Sequence, residues 1–132
     1  MIIFGDAMVD SKEFVKVNSI DDIKNSSSNS VVVIPSLKEN ELIDFCKNNS
    51  IEYGVELFSP NNAIRDLIFA FNLKASYILI SFLDVAKTLQ DIVNEYLMDL
   101  KVIYVTNSYN EIDEAAKMGI DGVILNKNIK EI

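Results

Sequence analysis

The side chains of this 132-residue chain that could do chemistry are better suited to binding than to reaction. There is no His, and the single Cys, Cys46, sits in an apolar helical stretch with Leu42, Ile43 and Phe45. A buried small hydrophobe is the ordinary role for such a thiol. With no imidazole to take its proton it does not read as a nucleophile, and alone it forms no intrachain disulfide. What remains are hydroxyls, amides and carboxylates. Ser59, Asn61, Asn62, Thr106, Asn107, Asn126 and Lys127 form the candidate ligand-binding set, because each follows an apolar run that reads as a strand. Parallel α/β sheets bind ligands outside the carboxyl ends of their strands. Lys127 is the only basic side chain of the set. The opening Ser59-Pro60-Asn61-Asn62 has no acid to compete for the free N–H groups of a helix start, so it is the best position for a phosphate or carboxylate. Acid–base or metal chemistry needs convergent titratable groups. Asp6 and Asp10 read as solvated, and Glu56 as a partly exposed or paired strand acid. No catalytic residue, metal site or cofactor is expected.

The elements that would position these residues are punctuated by one pattern. A Ser is followed three residues later by an acid in Ser19–Asp22, Ser36–Glu39, Ser81–Asp84 and Ser108–Glu111. Each reads as a capping box, with the hydroxyl accepting from an orphan N–H and the acid meeting the positive helix end. Strands are expected at Val31–Ile34, Tyr53–Phe58, Tyr77–Ile80, Val102–Val105 and Gly122–Leu125. Helices are expected at Glu39–Asn48, Pro60–Leu73, Asp84–Met98 and Asn110–Met118. The strands are continuous apolar runs, which suits a parallel sheet buried on both faces. Gly119 suits a left-handed C-cap, and Lys74 occupies the equivalent slot after the Pro60–Leu73 helix. In residues 1–30, Phe14–Val17 reads as an edge strand on account of Lys16, and Ile20–Lys24 as a short helix. Residues 25–30 read as a polar loop. This extension is expected to pack on the main unit, giving one domain over residues 1–132.

Net charge is −8, so no basic surface exists to displace counterions from nucleic acid or to meet an anionic membrane. The N-terminus lacks the basic region of a signal peptide, and no apolar run reaches membrane-spanning length. These features read as a cytoplasmic protein. They leave room for a protein partner, a weak homodimer or a small anionic ligand.

From Lys101 onward the chain resembles the response-regulator receiver domain. Val102-Ile103-Tyr104-Val105-Thr106 is similar to the receiver's fourth strand with its Thr. The segment from Ala115 to Lys127 is similar to its end, with Lys127 at the place of the family lysine. The resemblance puts Ser81 where receivers keep the phospho-accepting Asp, and Pro35-Ser36 where they keep an acidic pair. It therefore implies neither Mg²⁺ coordination nor aspartyl phosphorylation. A second resemblance is to part of a (β/α)₈ barrel, carried by Ser59–Ile80. A full barrel needs about 250 residues, so this version is a half barrel with an open apolar face that demands dimerisation.

These observations predict a three-layer αβα sandwich with a five-stranded, mainly parallel, flavodoxin-like sheet and a short N-terminal extension. The function they favour is a non-catalytic, receiver-like regulatory or protein-interaction module. The alternative is a binder of a phosphorylated small molecule, or a half-barrel enzyme subunit, using the C-terminal strand-end rim.

Overall fold

Eight strands, all parallel, make one sheet in the order β1-β7-β6-β5-β4-β3-β2-β8 in the computed structural model, which describes all 132 residues. The strands are β1 (Ile2–Phe4), β2 (Glu13–Lys16), β3 (Ser30–Ile34), β4 (Tyr53–Leu57), β5 (Tyr77–Ile80), β6 (Lys101–Thr106), β7 (Gly122–Leu125) and β8 (Lys130–Glu131). Helices α1 (Ile20–Asn25), α2 (Asn40–Asn48), α3 (Ala63–Asn72), α4 (Leu83–Glu95) and α5 (Glu111–Lys117) join β2 through β7 in turn. A 3₁₀ turn, Asn126–Asn128, leads from β7 into β8.

The five-stranded flavodoxin-like sandwich is overturned by this order. A flavodoxin-like sheet reverses direction once, which sends helices to both faces. Here β2 to β7 lie side by side in chain order. Each crossover of one hand returns to the next position, so the helices stay on one face. The packing shows the same division. One core cluster joins helix residues such as Ile23, Leu42, Leu67, Leu89 and Ala115 to Val32, Val55, Ile78, Val102 and Val123. The other contains no helix residue and is made of Phe4, Phe14, Val31, Val33, Tyr77, Leu79, Ile103, Val105, Ile124 and Ile129.

That second cluster is buried because the sheet curls. Phe4 on β1 and Phe14 on β2 are six places apart in the sheet. Flat strands about 4.8 Å apart would separate them by about 29 Å. Their ring centroids are 4.9 Å apart, and Tyr77 on β5 lies 5.1 Å from Phe14 and 5.9 Å from Phe4. The result is a half barrel whose concave face is filled by its own side chains. Glycines make room for this. A Cβ on Gly122 would fall 2.7 Å from both the Phe4 ring and Ile103 Cδ1. The open apolar face expected of a half barrel, the ground on which that version demanded a dimer, is therefore corrected: Phe14, Val31, Val33 and Ile103 are all fully buried within one chain.

Local structure departs from expectation at the helix starts. Only Ser19 caps its helix: its Oγ accepts from Asp22 N–H at 3.1 Å, and Asp22 Oδ2 accepts from Asn18 N–H at 2.9 Å. Ser36 and Ser108 instead accept from the N–H two residues on, at 3.1 and 3.2 Å, and α2 and α5 begin later. For α4 the N-cap is Phe82 rather than Ser81, with no side-chain bond. The left-handed slots are where the pattern put them, at Lys74 (φ 69°) and Gly119 (φ 72°). Lys16 is not on an edge, since β8 pairs beyond β2.

Candidate functional site

The C-terminal ends of the strands form the face on which the candidate residues stand, and the structure distributes them rather than gathering them. Ser59 is exposed and accepts from Asn61 N–H at 3.1 Å, a turn that delays α3 until Ala63. Asn62 occupies the N-cap at φ 63° and makes no side-chain cap bond. The hollow beside this helix start, about 310 Å³, is shared with Asp84 of α4. A carboxylate there repels the anion that the bare N-terminus would attract. Pro60 is outside the helix, so the expected span Pro60–Leu73 shortens to Ala63–Asn72.

Thr106 is buried and committed. It donates to Glu111 Oε1 at 2.5 Å and accepts from Ser108 N–H at 3.1 Å, while Tyr104 donates to Glu111 Oε2 at 2.7 Å. These two hydroxyls, Thr106 first, hold the Glu111 carboxyl below its ordinary value. The Tyr104 hydroxyl is pushed up to about 12, chiefly by burial and then by its bond to Glu111. The group anchors α5 to β6. Asn107, next in the chain, is exposed, as are Asn126 and Lys127 in the 3₁₀ turn. Lys127 and Ser59 follow β7 and β4, three places apart, or about 14 Å along the sheet.

Lys127 has a different neighbour. Asp6, just after β1, accepts from Met8 N–H and from the Tyr109 hydroxyl, both at 2.8 Å. Those two bonds, the backbone one first, draw the Asp6 carboxyl below its ordinary value, and the Lys127 charge acts in the same sense. The solvated Asp6–Asp10 reading is thus replaced at Asp6 by a link between the β1 and β6 loops.

Two further features belong to this face. The first is an ion pair between Lys16 and Glu56, 3.9 Å apart, in line with the reading of Glu56 as a partly exposed or paired strand acid. Alternation places both on the concave side, because Phe14 belongs to the inner cluster and Val55 and Leu57 to the helix-side cluster. The pair closes the top of the apolar interior. Burial pushes the Glu56 carboxyl up, and the Lys16 charge opposes the shift. The second feature is apolar. Loops after four strand ends carry exposed large side chains: Met8 (95% exposed) after β1, Phe58 (68%) after β4, Phe82 (39%) after β5 and Tyr109 (55%) after β6. The sequence pattern makes Phe58 the last residue of a strand and Phe82 the interior of a capping box. Their common place, just beyond a strand end, was the available signal.

β4 and β5 are neighbours, with Leu57 opposite Ile80, so Phe58 and Phe82 stand on adjacent strand ends. Met8 and Tyr109 are tied together through Asp6. No cluster of three or more His, Cys, Asp or Glu suited to a metal ion is present, and no helix is long and apolar enough to cross a membrane. No protein-family model matches the chain, and no curated protein matches it.

Proposed function

We propose that this chain is a non-catalytic protein-interaction module that meets its partner with the C-terminal face of the half barrel. One observation carries the reading: the loops after β1, β4, β5 and β6 each present a large exposed apolar side chain on the same face. Exposed apolar residues gathered on one face mark contact surfaces, whereas scattered ones need no explanation. Their polar surroundings (Asp6, Lys127, Lys16 and Glu56) mix both signs of charge, as the rim of a transient interface does. The candidate hydroxyl Thr106 is consumed internally, which supports a surface role over a reactive one.

The phosphorylated-ligand alternative has less support. Lys16 is paired with Glu56, and Lys127 sits beside Asp6, so these two cations of the rim already have an acidic neighbour. The regulatory reading drawn from receivers rests on a sheet order that this fold does not have.

The test is a photoreactive residue at position 59, introduced into the full chain together with either native or Ser-substituted neighbours. A discrete cross-linked partner should form with Phe58 and Phe82 present. It should disappear with Phe58→Ser and Phe82→Ser, while the thermal midpoint stays put. The same adduct at full yield in the double variant would refute the proposal.

A further inference from the structure

We infer that the outward face of α3 is a self-association surface whose occupant is a second copy of this chain. It lies on the outer side of the helix layer and does not rest on the reading of the C-terminal face. An amphipathic helix turns its large apolar residues inward and its polar ones to solvent. α3 does the reverse. Its buried residues are Ala63, Leu67 and Ala70, while Ile64, Ile68 and Phe69 are 46%, 45% and 57% exposed. A helix that is apolar all round belongs in an interior, and the single chain supplies one on the inner side only.

Charge argues for a second copy. At a net charge of −8 the chain repels itself, so two copies meet best where the surface is least acidic. The other four α-helices each carry more acids than bases, and α3 carries one of each, Arg65 and Asp66. A basic partner would be drawn to the acidic helices instead. It would be repelled by Arg65, the one charged side chain exposed on the stripe with Ile64, Ile68 and Phe69.

The two flanks of the stripe complement each other. Ile64 lines the hollow at the start of α3 together with Asp84, Val85 and Thr88 of α4, so this flank is acidic. At about 100° per residue, Arg65 and Phe69 turn away from it to the opposite flank. Arg65 is held loosely, its Nε 3.7 Å from Asp66 Oδ1 and its side chain 64% exposed. Arg65 and Asp84 both lie in the first turn of their helices, which start at the same end of the parallel sheet. A two-fold axis parallel to α3 makes each flank of one protomer meet the other flank of its partner. Phe69 of each copy then packs towards Ile68 of the other, and each Arg65 faces the other's Asp84. α3 has ten residues, so the contact is about 15 Å long and about 10 Å wide. That is well short of the ~800 Å² per partner of a standard interface, so the dimer is weak.

The experiment is sedimentation equilibrium of the full chain from about 10 μM to about 1 mM, a range suited to a contact of this size. The weight-average mass should rise with concentration from the monomer value towards twice that value. Ile68→Ser and Phe69→Ser, both at exposed positions, should each weaken the association at least about fivefold without lowering the melting temperature of the dilute chain. Arg65→Asp alone and Asp84→Arg alone should lose it. An equimolar mixture of those two variants should associate again, because the mixed pair regains both Arg–Asp contacts. Circular dichroism establishes first that each variant is folded; if Asp84→Arg is not, Asp84→Asn replaces it and should weaken the native association about threefold. Phe58→Ser with Phe82→Ser, on the C-terminal face, should leave self-association unchanged. The inference is overturned if the native chain stays monomeric throughout, or if it associates regardless of Phe69→Ser. It is equally overturned if the folded charge variants associate no better mixed than apart, if Asp84→Asn has no effect, or if the Phe58 and Phe82 changes abolish the dimer.

Discussion

Leucine at Phe4 and Phe14, singly and together, measures the curl of the sheet directly. Both rings are buried, and Phe14 makes two ring contacts, 4.9 Å to Phe4 and 5.1 Å to Tyr77. Tilted or edge-on aromatic pairs contribute about 0.5–1.5 kcal/mol each beyond area burial. Phe14→Leu should therefore cost about 2–3 kcal/mol once a small packing defect is added. Against a domain stability of about 5–15 kcal/mol this is measurable without abolishing the fold. The decisive quantity is the coupling between Phe4→Leu and Phe14→Leu, expected at about 1 kcal/mol. Urea unfolding of the four species supplies it, provided the slope with denaturant is the same in all four. Residues on strands six places apart in an open sheet would not couple at all. A coupling within about 0.3 kcal/mol of zero, the usual scatter for independent sites, would refute the curled interior. Phe69→Ser is the control. Phe69 is 57% exposed on α3 and outside both clusters, so its replacement should change stability by no more than about 0.5 kcal/mol.

Two further expectations follow from the hydrogen bonds. Ser19→Ala should cost about 1 kcal/mol, the value of a lost N-cap, whereas Ser36→Ala and Ser108→Ala should cost no more than about 0.5 kcal/mol; chemical denaturation that ranks them the other way would contradict the cap geometry. Glu111 has a lowered folded pKa, so the stability it contributes is complete above the unfolded carboxyl value, about 4.3, and is lost as pH falls through the folded value. Melting temperature against pH should accordingly decline less steeply below pH ~4 in Glu111→Gln than in the native chain, and parallel curves would argue against the Thr106 and Tyr104 bonds.

The alternation of β and α elements was legible because local rules write it: five apolar runs, four longer helical patterns and two left-handed exits stand where the sequence places them. The sheet's shape was not legible, for a physical reason. A strand such as Val31-Val32-Val33-Ile34 is apolar on both faces whether the second face meets another layer of helices or the curl of its own sheet. Burial leaves the same mark in either case. The discriminating residues were the large rings at Phe4, Phe14 and Tyr77 and the strand glycines Gly54 and Gly122. Glycine inside a strand often marks a close approach. Strands β1 and β8 escaped notice because three and two residues carry too little pattern. At the helix starts the residue types were suggestive, but the chain inserts a turn first, so the serines of Ser36 and Ser108 bond one residue short of a cap.

The filled interior decides where function can reside. Wide barrels leave room for a ligand inside, but a tightly curled sheet fills with side chains. Here Phe4, Phe14 and Tyr77 occupy the centre, and Lys16 with Glu56 closes the C-terminal end. Burial raises the Glu56 carboxyl, and the sign of that shift matters. A raised carboxyl favours the protonated form in the folded state, so its ionisation opposes folding once the pH exceeds the unfolded value. Glu56→Gln should then leave stability at neutral pH unchanged or slightly higher, and Lys16, partly exposed, can turn to solvent. That outcome would mark the pair as a seal rather than a reactive pair, in keeping with the interaction face proposed above at Met8, Phe58, Phe82 and Tyr109. Glu56→Gln that markedly destabilised the chain at pH 7 would instead show the ion pair to be a structural necessity, and the mouth of the half barrel would have to be reconsidered as a built site.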